Sequence, residues 1–291
     1  MARGRGGALD ALPHRRPPGA WEQFVLEPCV FLARKLYTWQ KTTLISGPPP
    51  PPADPVSVVC ISDTHNTQPA LPAGDILVHA GDLTQSGSFA ELQAALRWLA
   101  AQPHPVKIVV GGNHDDAAAT VVCARNGRRL RVHGSPGSPR NGDSWAFQHA
   151  RTDGEEVWTG IDTDTDIDIL VTHAPPRAHL DLVHLGCAHL LALLWRVRSR
   201  LHVFGHVHAG AGTEALCFDA LQAAYERTVL ARGGVGNLVC TVVAAVAAWW
   251  VFCGFGFGRR QAREATTLLV NAAMVGGLRD DELRSAVRVV V

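Results

Sequence analysis

Residues 56–66 read VSVVCISDTHN and residues 74–84 read GDILVHAGDLT, and each stretch is a short apolar run that ends in polar side chains. The runs are rich in β-branched residues and too short for helices, so they predict buried strands. The same arrangement recurs in GGNHD at 111–115, VTH at 171–173 and GHVH at 205–208. The chain is therefore predicted to present polar side chains at five strand ends.

These side chains are carboxylates, imidazoles and one amide, with no thiol among them. They are Asp63, His65, Asp82, Asn113, His114, His173, His206 and His208. Oxygen and imidazole ligands suit divalent ions such as Mn, Fe or Zn, and two such ions about 3.5–4 Å apart can clamp a phosphate group. Any one of these residues could instead be a structural polar group at a turn. Packing, however, does not require these residue types at five separate strand ends.

The ordered series D-x-H, GD, GNHD, H and GH-x-H resembles the calcineurin-like metallophosphoesterase superfamily. Further stretches are similar to the branch that includes fungal calcineurin-like phosphoesterases and the metallophosphoesterase-domain-containing proteins of animals. They are HAGDLTQSG at 79–87, HGSP at 133–136, WAF at 145–147, THAPP at 172–176 and RLHVFGHVHAG at 200–210. The resemblance runs from about Val56 to the C-terminus. It implies an α/β fold, namely a four-layer α/β/β/α sandwich of two mixed sheets flanked by helices.

The resemblance also implies a two-metal-dependent phosphoester hydrolase, and within that class a phosphodiesterase acting on a small phosphoester substrate. Asp63, His65 and His208 would hold the first ion, and Asn113, His173 and His206 the second. Asp82 would bridge both ions, because one carboxylate can give an oxygen to each. A hydroxide between the ions would attack phosphorus in line, and His114 would act as the general acid toward the leaving alcohol.

Between residues 116 and 132 the chain is shorter than its relatives, which usually carry a further helix and strand there. This difference leaves an alternative function open. In that alternative, the chain is a membrane-associated, metal-binding interaction or scaffold protein with little turnover.

The amino-acid composition restricts the partners and the redox environment expected for the chain. Hydrophobic residues make up 47% of the 291 residues and charged residues only 18%, which is low for a soluble domain. The formal charge of +1 gives no general attraction to nucleic acid, so no nucleic-acid partner is expected. The seven cysteines form no CxxC pair, which is typical of reduced thiols in the cytoplasm.

The predicted domain organisation has two parts. Residues 1–53 comprise an Arg/Pro-rich tail, an apolar helix at 21–46 and a polyproline linker, and residues 54–291 form the metallophosphoesterase domain. Pro28 falls inside the apolar segment, so a single unbroken helix is not expected there. Ser88 and Glu91 form a capping-box pattern that predicts a helix to about residue 101.

A hydrophobic insertion is predicted at 236–258, within a run from 233 to 258 that contains no charged residue. As a helix, its 20-residue core Leu238–Phe257 would span about 30 Å, the thickness of a bilayer's hydrocarbon core. The segments that follow, at 267–270 and 287–291, resemble closing strands of the family's sheets, and a single crossing would separate them from those sheets. The expectation is therefore a helix or hairpin that enters one leaflet beside 21–46, on the cytosolic face. Packing on protein is the alternative.

Overall fold

The computed structural model describes residues 19–44, 54–113, 123–125, 128–140, 145–159, 161, 166–182, 184–254, 266–276 and 282–291. These residues form two compact units. The sheet unit contains Pro51–Glu214 and Leu268–Val291, and the helical unit contains Pro17–Pro50 and Ala215–Thr267. The predicted boundary at residue 54, and the status of 236–258 as an insertion, stay predictions.

The elements are as follows in chain order. The helices are α1 (Ala20–Leu26), α2 (Pro28–Leu44), α3 (Phe89–Ala101), α4 (Gly154–Thr159), α5 (Ala188–Val197), α6 (Ala220–Leu230) and α7 (Val235–Gly254). The strands are β1 (Ser57–Ile61), β2 (Ile76–Ala80), β3 (Val106–Val110), β4 (Cys123–Arg125), β5 (Arg128–Leu130), β6 (Val132–Ser135), β7 (Ser138–Pro139), β8 (Gln148–His149), β9 (Ile169–Thr172), β10 (Leu201–Phe204), β11 (Gly212–Leu216), β12 (Thr267–Asn271), β13 (Val275–Gly276), β14 (Glu282–Leu283) and β15 (Val287–Val290).

The first sheet of the sheet unit has the strand order β15-β1-β2-β3. Strands β1, β2 and β3 are parallel, and β15 pairs antiparallel with β1. Every residue of β1 and β2 is buried, as expected for parallel strands covered on both faces. The predicted strands at 56–61 and 76–79 are therefore confirmed.

The second sheet has the order β11-β12-β10-β9-β6, in which β12, β10, β9 and β6 run parallel. Helix α5 connects β9 to β10. Its N-cap Cys187 accepts a hydrogen bond from the backbone N–H of Leu190. Strand β12 lies between β11 and β10 in the second sheet, and β15 is an edge strand of the first, so the expectation that 267–270 and 287–291 belong to the sheets is met.

The two sheets pack face to face through a shared hydrophobic core. Val58, Val78 and Ile108 of the first sheet meet Val171 and Val203 of the second in that core. Alternate residues of β1 and β2 point the other way, because side chains alternate along a strand, and they pack with Leu99 of α3. The predicted α/β architecture of two sheets with flanking helices is confirmed.

Helix α3 begins at the predicted capping box. The Ser88 hydroxyl accepts from the backbone N–H of Glu91, and the Glu91 carboxylate accepts from the backbone N–H of Ser88. Ala95 and Leu99 are the buried residues of this helix, whereas Leu96 is exposed.

The helical unit has its own core, formed where α2, α6 and α7 pack on one another. The rings of Tyr37 on α2 and Tyr225 on α6 are stacked with centroids 4.3 Å apart. Gln40 donates a hydrogen bond to the backbone carbonyl of Ala245 on α7 at 2.8 Å. The chain breaks between α1 and α2 as predicted, and Pro28 is the first residue of α2, where a missing N–H is tolerated.

Among the residues described, none of the helices has both the length and the apolarity needed to cross a membrane.

A buried histidine should make the fold acid-sensitive. His202 on β10 is fully buried with Nε2 2.8 Å from the Thr172 hydroxyl, and burial lowers the pKa of His202 to about 3. Because this pKa lies below that of an unfolded histidine, about 6.5, the stability that the neutral ring provides is present above that pH. It is lost progressively as the pH falls from 6.5 toward 3.

We therefore expect His202→Gln, which cannot take up the proton, to reduce the loss of unfolding free energy between pH 7 and pH 4.5 by about 2 kcal/mol. Urea unfolding of both proteins at the two pH values measures this difference. Equal losses in the two proteins would show that His202 is not the source of acid sensitivity.

Candidate metal centre

The polar side chains predicted from the sequence meet at one edge of the two packed sheets. Asp63 and His65 follow β1, Asp82 follows β2, and Asn113 follows β3 in the first sheet. His173 follows β9, while His206 and His208 follow β10 in the second. Since the carboxyl ends of parallel strands share an edge, and β2 contacts both β9 and β10, the loops of both sheets converge.

The first cluster consists of Asp63, His65 and His208, whose ligand atoms all lie within 4.8 Å of one another. The Nε2 atoms of His65 and His208 are 3.4 Å apart. His208 Nε2 is 3.3 Å from Asp63 Oδ1. Asp63 is fully buried, so its carboxylate faces these rings rather than solvent.

The second cluster consists of Asp82, His173 and His206 within the same 4.8 Å limit. His206 Nδ1 lies 3.2 Å from His173 Nε2. Asn113 adds its side-chain oxygen, which is 2.8 Å from His173 Nε2. The structure thus brings together the residues predicted for the second ion.

Asp82 belongs to the second cluster and also faces the first, with one oxygen toward a histidine of each. Its Oδ2 is 3.8 Å from His65 Nε2 in the first cluster, and its Oδ1 is 3.4 Å from His173 Nε2 in the second. The carboxylate is buried, so both oxygens have protein neighbours rather than bulk water. This orientation is the one a carboxylate needs to serve two cations at once.

Backbone carbonyls set the tautomers of two of the histidines. His65 Nδ1 donates to the Thr84 carbonyl at 3.2 Å, and His173 Nδ1 donates to the Ala80 carbonyl at 3.0 Å. A carbonyl oxygen can only accept, so each ring carries its proton on Nδ1. In the neutral ring, the Nε2 lone pair therefore points into the cluster, as it does in histidines that bind metals.

The clusters require an unusual backbone. Asp63, His65, Asp82 and His206 all have left-handed φ values, of 50°, 41°, 53° and 65°. Such conformations cost about 1–3 kcal/mol each for residues other than glycine and occur preferentially at functional sites. Glycines make room beside them: a Cβ at Gly205 would collide with Ser62 and Asp63, and one at Gly112 would collide with Asp82.

The Asp63 carboxylate is held by hydrogen bonds from both neighbouring loops. The backbone N–H of His206 donates to both of its oxygens at 3.0 Å, and the Ser62 hydroxyl donates to Oδ2. Burial alone would raise the pKa of Asp63, but the hydrogen bond and the charge of His208 outweigh it and lower that pKa to about 2. Asp63 is therefore a carboxylate at any physiological pH.

The histidines of the second cluster differ in their affinity for a proton. Burial would lower the pKa of His173, but the carboxylates of Asp82 and Asp63 prevail and raise it to about 9. Burial, assisted by the charge of His173, lowers the pKa of His206 to about 3. Two buried carboxylates therefore attract positive charge to this cavity. When no cation is bound, a proton on His173 supplies part of that charge.

The spacing of the donor atoms matches a metal coordination shell. Ligand atoms bound to one ion at about 2.0–2.2 Å lie roughly 3.0–3.5 Å from one another. Five of the distances between donor atoms run from 2.8 to 3.4 Å, and the donor atoms of each three-residue cluster lie within 4.8 Å of one another. Imidazole and carboxylate donors suit Zn, Fe or Mn rather than a soft, thiolate-binding ion. The residues present thus fit two divalent cations that share Asp82.

Two residues that fasten the centre were not found from the sequence. Arg284 Nη1 donates to the backbone carbonyls of His208 and Val275, each at 2.8 Å. Asn271 Nδ2 donates to the carbonyl of Val207 at 2.9 Å, next to the two histidines of this loop. Both residues act on backbone carbonyls far away in sequence, and no local pattern indicates such contacts.

Two other histidines lie near the site residues in the sequence. His79, which precedes the GD pair at 81–82, lies with Nε2 3.0 Å from the Thr64 hydroxyl, and burial lowers the pKa of His79 to about 4. His114 lies outside the described residues, as does most of 116–132. The predicted role of His114 therefore stays a prediction.

A two-sheet α/β unit with adjoining imidazole and carboxylate clusters at its strand ends is the architecture of a protein that holds divalent cations. The chain matches the calcineurin-like phosphoesterase family over residues 56–210, more than half of its length. It belongs to that family.

Individual proteins show the same relationship. The chain is 40% identical over 308 residues to a protein of Emericella nidulans named probable rhamnogalacturonate lyase C, a match that covers 96% of this chain and 28% of that protein. It is 33% identical over 219 residues to human metallophosphoesterase domain-containing protein 1, covering 57% of this chain and 64% of that protein. The chain thus spans less than two thirds of the length of either relative.

Among solved structures, the purple acid phosphatase PPD1 from yellow lupin seeds aligns with 58% of this chain and 40% of its own, at 13% identity and a TM-score of 0.32. A TM-score this low does not by itself establish a common fold.

Removal of the shared carboxylate should affect both clusters. We expect the protein to bind two Mn²⁺ ions per chain, and Asp82→Asn to weaken binding of both by at least about 100-fold, because each cluster loses an anionic ligand. Metal content after equilibrium dialysis, measured by mass spectrometry, tests this. The control is Asp166→Asn, an exposed carboxylate before β9. Retention of both ions by Asp82→Asn would contradict the shared site.

Arg284 should matter to the first cluster alone. Arg284→Ala removes both hydrogen bonds to carbonyls and should weaken binding of one Mn²⁺ ion about tenfold, since His208 is then less firmly positioned. Arg284→Lys should restore part of the affinity. Arg288→Ala is the matched control, because Arg288 is exposed and donates to the Ala73 carbonyl instead. Equal weakening of both ions would indicate a general loss of structure.

Proposed function

We propose that this chain is a two-metal-dependent phosphoesterase, and more narrowly a phosphodiesterase that acts on a small phosphoester. The observation that supports the proposal most is the position of Asp82 between two donor clusters, with one oxygen toward each. Membership of the calcineurin-like phosphoesterase family supports the same reaction class.

In this proposal the two clusters hold one cation each. Asp63, His65 and His208 would hold the first, Asn113, His173 and His206 the second, and Asp82 both. When bound, two such cations supply Lewis acidity toward phosphoryl oxygens and lower the pKa of the attacking water.

The residues of the chain perform the remaining tasks. Thr84 and Ala80 keep His65 and His173 in the Nδ1-protonated tautomer, so that both rings present Nε2 to the cavity. The buried carboxylates of Asp63 and Asp82 keep the cavity negative, so an anionic phosphodiester would bind only when cations are present. His114, adjacent in sequence to Asn113, would donate a proton to the departing alcohol.

The proposed activity can be tested with bis(p-nitrophenyl) phosphate and Mn²⁺. We expect the unmodified chain to hydrolyse the diester and Asp82→Asn to lose about 1,000-fold or more in kcat/KM, since two metals act together in the transition state. Asp166→Asn should keep full activity. Equal background rates for the unmodified chain and Asp82→Asn would remove the enzyme proposal and favour a metal-binding scaffold.

The role of His114 can be separated from metal binding by the choice of leaving group. An alkyl alcohol needs a proton as it departs, whereas p-nitrophenolate is stable without one. We expect His114→Asn to reduce hydrolysis of an alkyl diester by about 100-fold or more while affecting the p-nitrophenyl diester much less. Equal losses on both substrates, accompanied by lost Mn²⁺, would make His114 a ligand instead.

A further inference from the structure

Helix α7 of the helical unit exposes an apolar face that its own unit does not cover. Thr241 and Ala245 are the buried positions among residues 235–250, and they face α2 and α6. Val239, Val243 and Val246 lie on the other side with 54%, 62% and 50% of their surface exposed. No charged residue interrupts the helix from 235 to 254. Soluble monomers rarely leave a contiguous apolar surface of this kind in water.

Helix α2 continues this face. Its residues Val30, Ala33, Tyr37 and Gln40 point into the helical unit. Leu32, Lys35 and Trp39 follow the opposite spacing and are exposed. The ring of Trp39 is stacked on that of Trp249 of α7, with centroids 5.9 Å apart, so the exposed stripes of the two helices join there.

Three tryptophans lie at one end of the combined surface. Trp39, Trp249 and Trp250 are all exposed, Trp250 by 71%. An indole ring combines a large apolar body with one polar N–H group, and this combination places tryptophan preferentially at the level of lipid headgroups.

The charge of the surface is one-sided. Neither α2 nor α7 contains an acidic residue, and Lys35 of α2 lies on the exposed side. The other two cations of α2 have partners within the helical unit, since Arg34 donates to the Gln23 side chain and Lys41 to the Ala215 carbonyl. A symmetric contact with a second copy would bring the same cations together without an acidic partner. An anionic lipid headgroup would supply the missing negative charge.

We propose that the exposed face of α2 and α7, here called the α2–α7 face, binds the surface of a bilayer that contains anionic lipid. The valines of α7 enter the boundary between headgroups and acyl chains, the tryptophans lie at headgroup level, and Lys35 pairs with lipid phosphate or carboxylate. The helices lie along the surface. This binding does not depend on the proposed hydrolytic activity.

Flotation of the full chain with vesicles tests the proposal. We expect the chain to float with vesicles of phosphatidylcholine and phosphatidylserine, and more weakly with phosphatidylcholine alone. The double variant Val243→Glu/Val246→Glu should bind the anionic vesicles about tenfold or more weakly, because it replaces buried apolar area with charges that the surface repels. The control is Leu96→Glu on α3, an exposed leucine outside the α2–α7 face.

A second variant tests orientation. Quenching of tryptophan fluorescence by lipids brominated near the headgroup should decrease in Trp250→Ser. Because Trp250 and both valines are exposed, the variants should keep the circular dichroism and Mn²⁺ content of the unmodified chain. The proposal is overturned if the unmodified chain stays with neither vesicle, if the double variant floats equally well, or if the double variant merely converts a dimer to a monomer.

Discussion

The structure of the centre depends on one constraint, which is that a single buried carboxylate must face two histidine clusters, each of which draws residues from both sheets. Asp82 can do so because β2 is an interior strand of the first sheet and faces β9 and β10 across the shared core. Asp82 itself has a left-handed φ of 53°. The contact of Asp82 with His173 crosses from one sheet to the other, so a shift of one sheet relative to the other would change it. The geometry of the site therefore depends on tight packing of the two sheets.

Much of the fold and of the site could be predicted because the polar residues directly follow the strands in the sequence. A short apolar run followed at once by Asp, His or Asn can be recognised in the sequence. Parallel pairing of the strands then brings such ends together whatever the details of packing. The helix at Ser88 and the break at Pro28 were likewise local features. Two kinds of feature could not be predicted from the sequence. One is contacts between distant segments, such as that of Arg284 with the carbonyl of His208, and the other is the left-handed backbone at Asp63.

The uncharged hydrophobic run at 233–258 shows why composition alone could not decide what surrounds a helix. A helix without charges suits a membrane, a protein core or an interface equally well, and only its neighbours decide which sides are covered. The structure gives α7 partners on one side, through Gln40 and Thr228, and leaves the valines on the other exposed. The pairing of α2 with α7 joins segments that most of the chain separates, which is beyond the reach of any periodicity.

The antiparallel pairing of β15 with β1 bears on how the centre forms during synthesis. Strand β1, which leads into Asp63, emerges from the ribosome long before residues 287–290 that flank it in the sheet. Such non-local pairing is slow, because a long loop must close before the contact stabilises anything. The nascent chain would therefore present its histidines and carboxylates while the scaffold around them is incomplete, and the arrangement described here would await synthesis of residues 287–290.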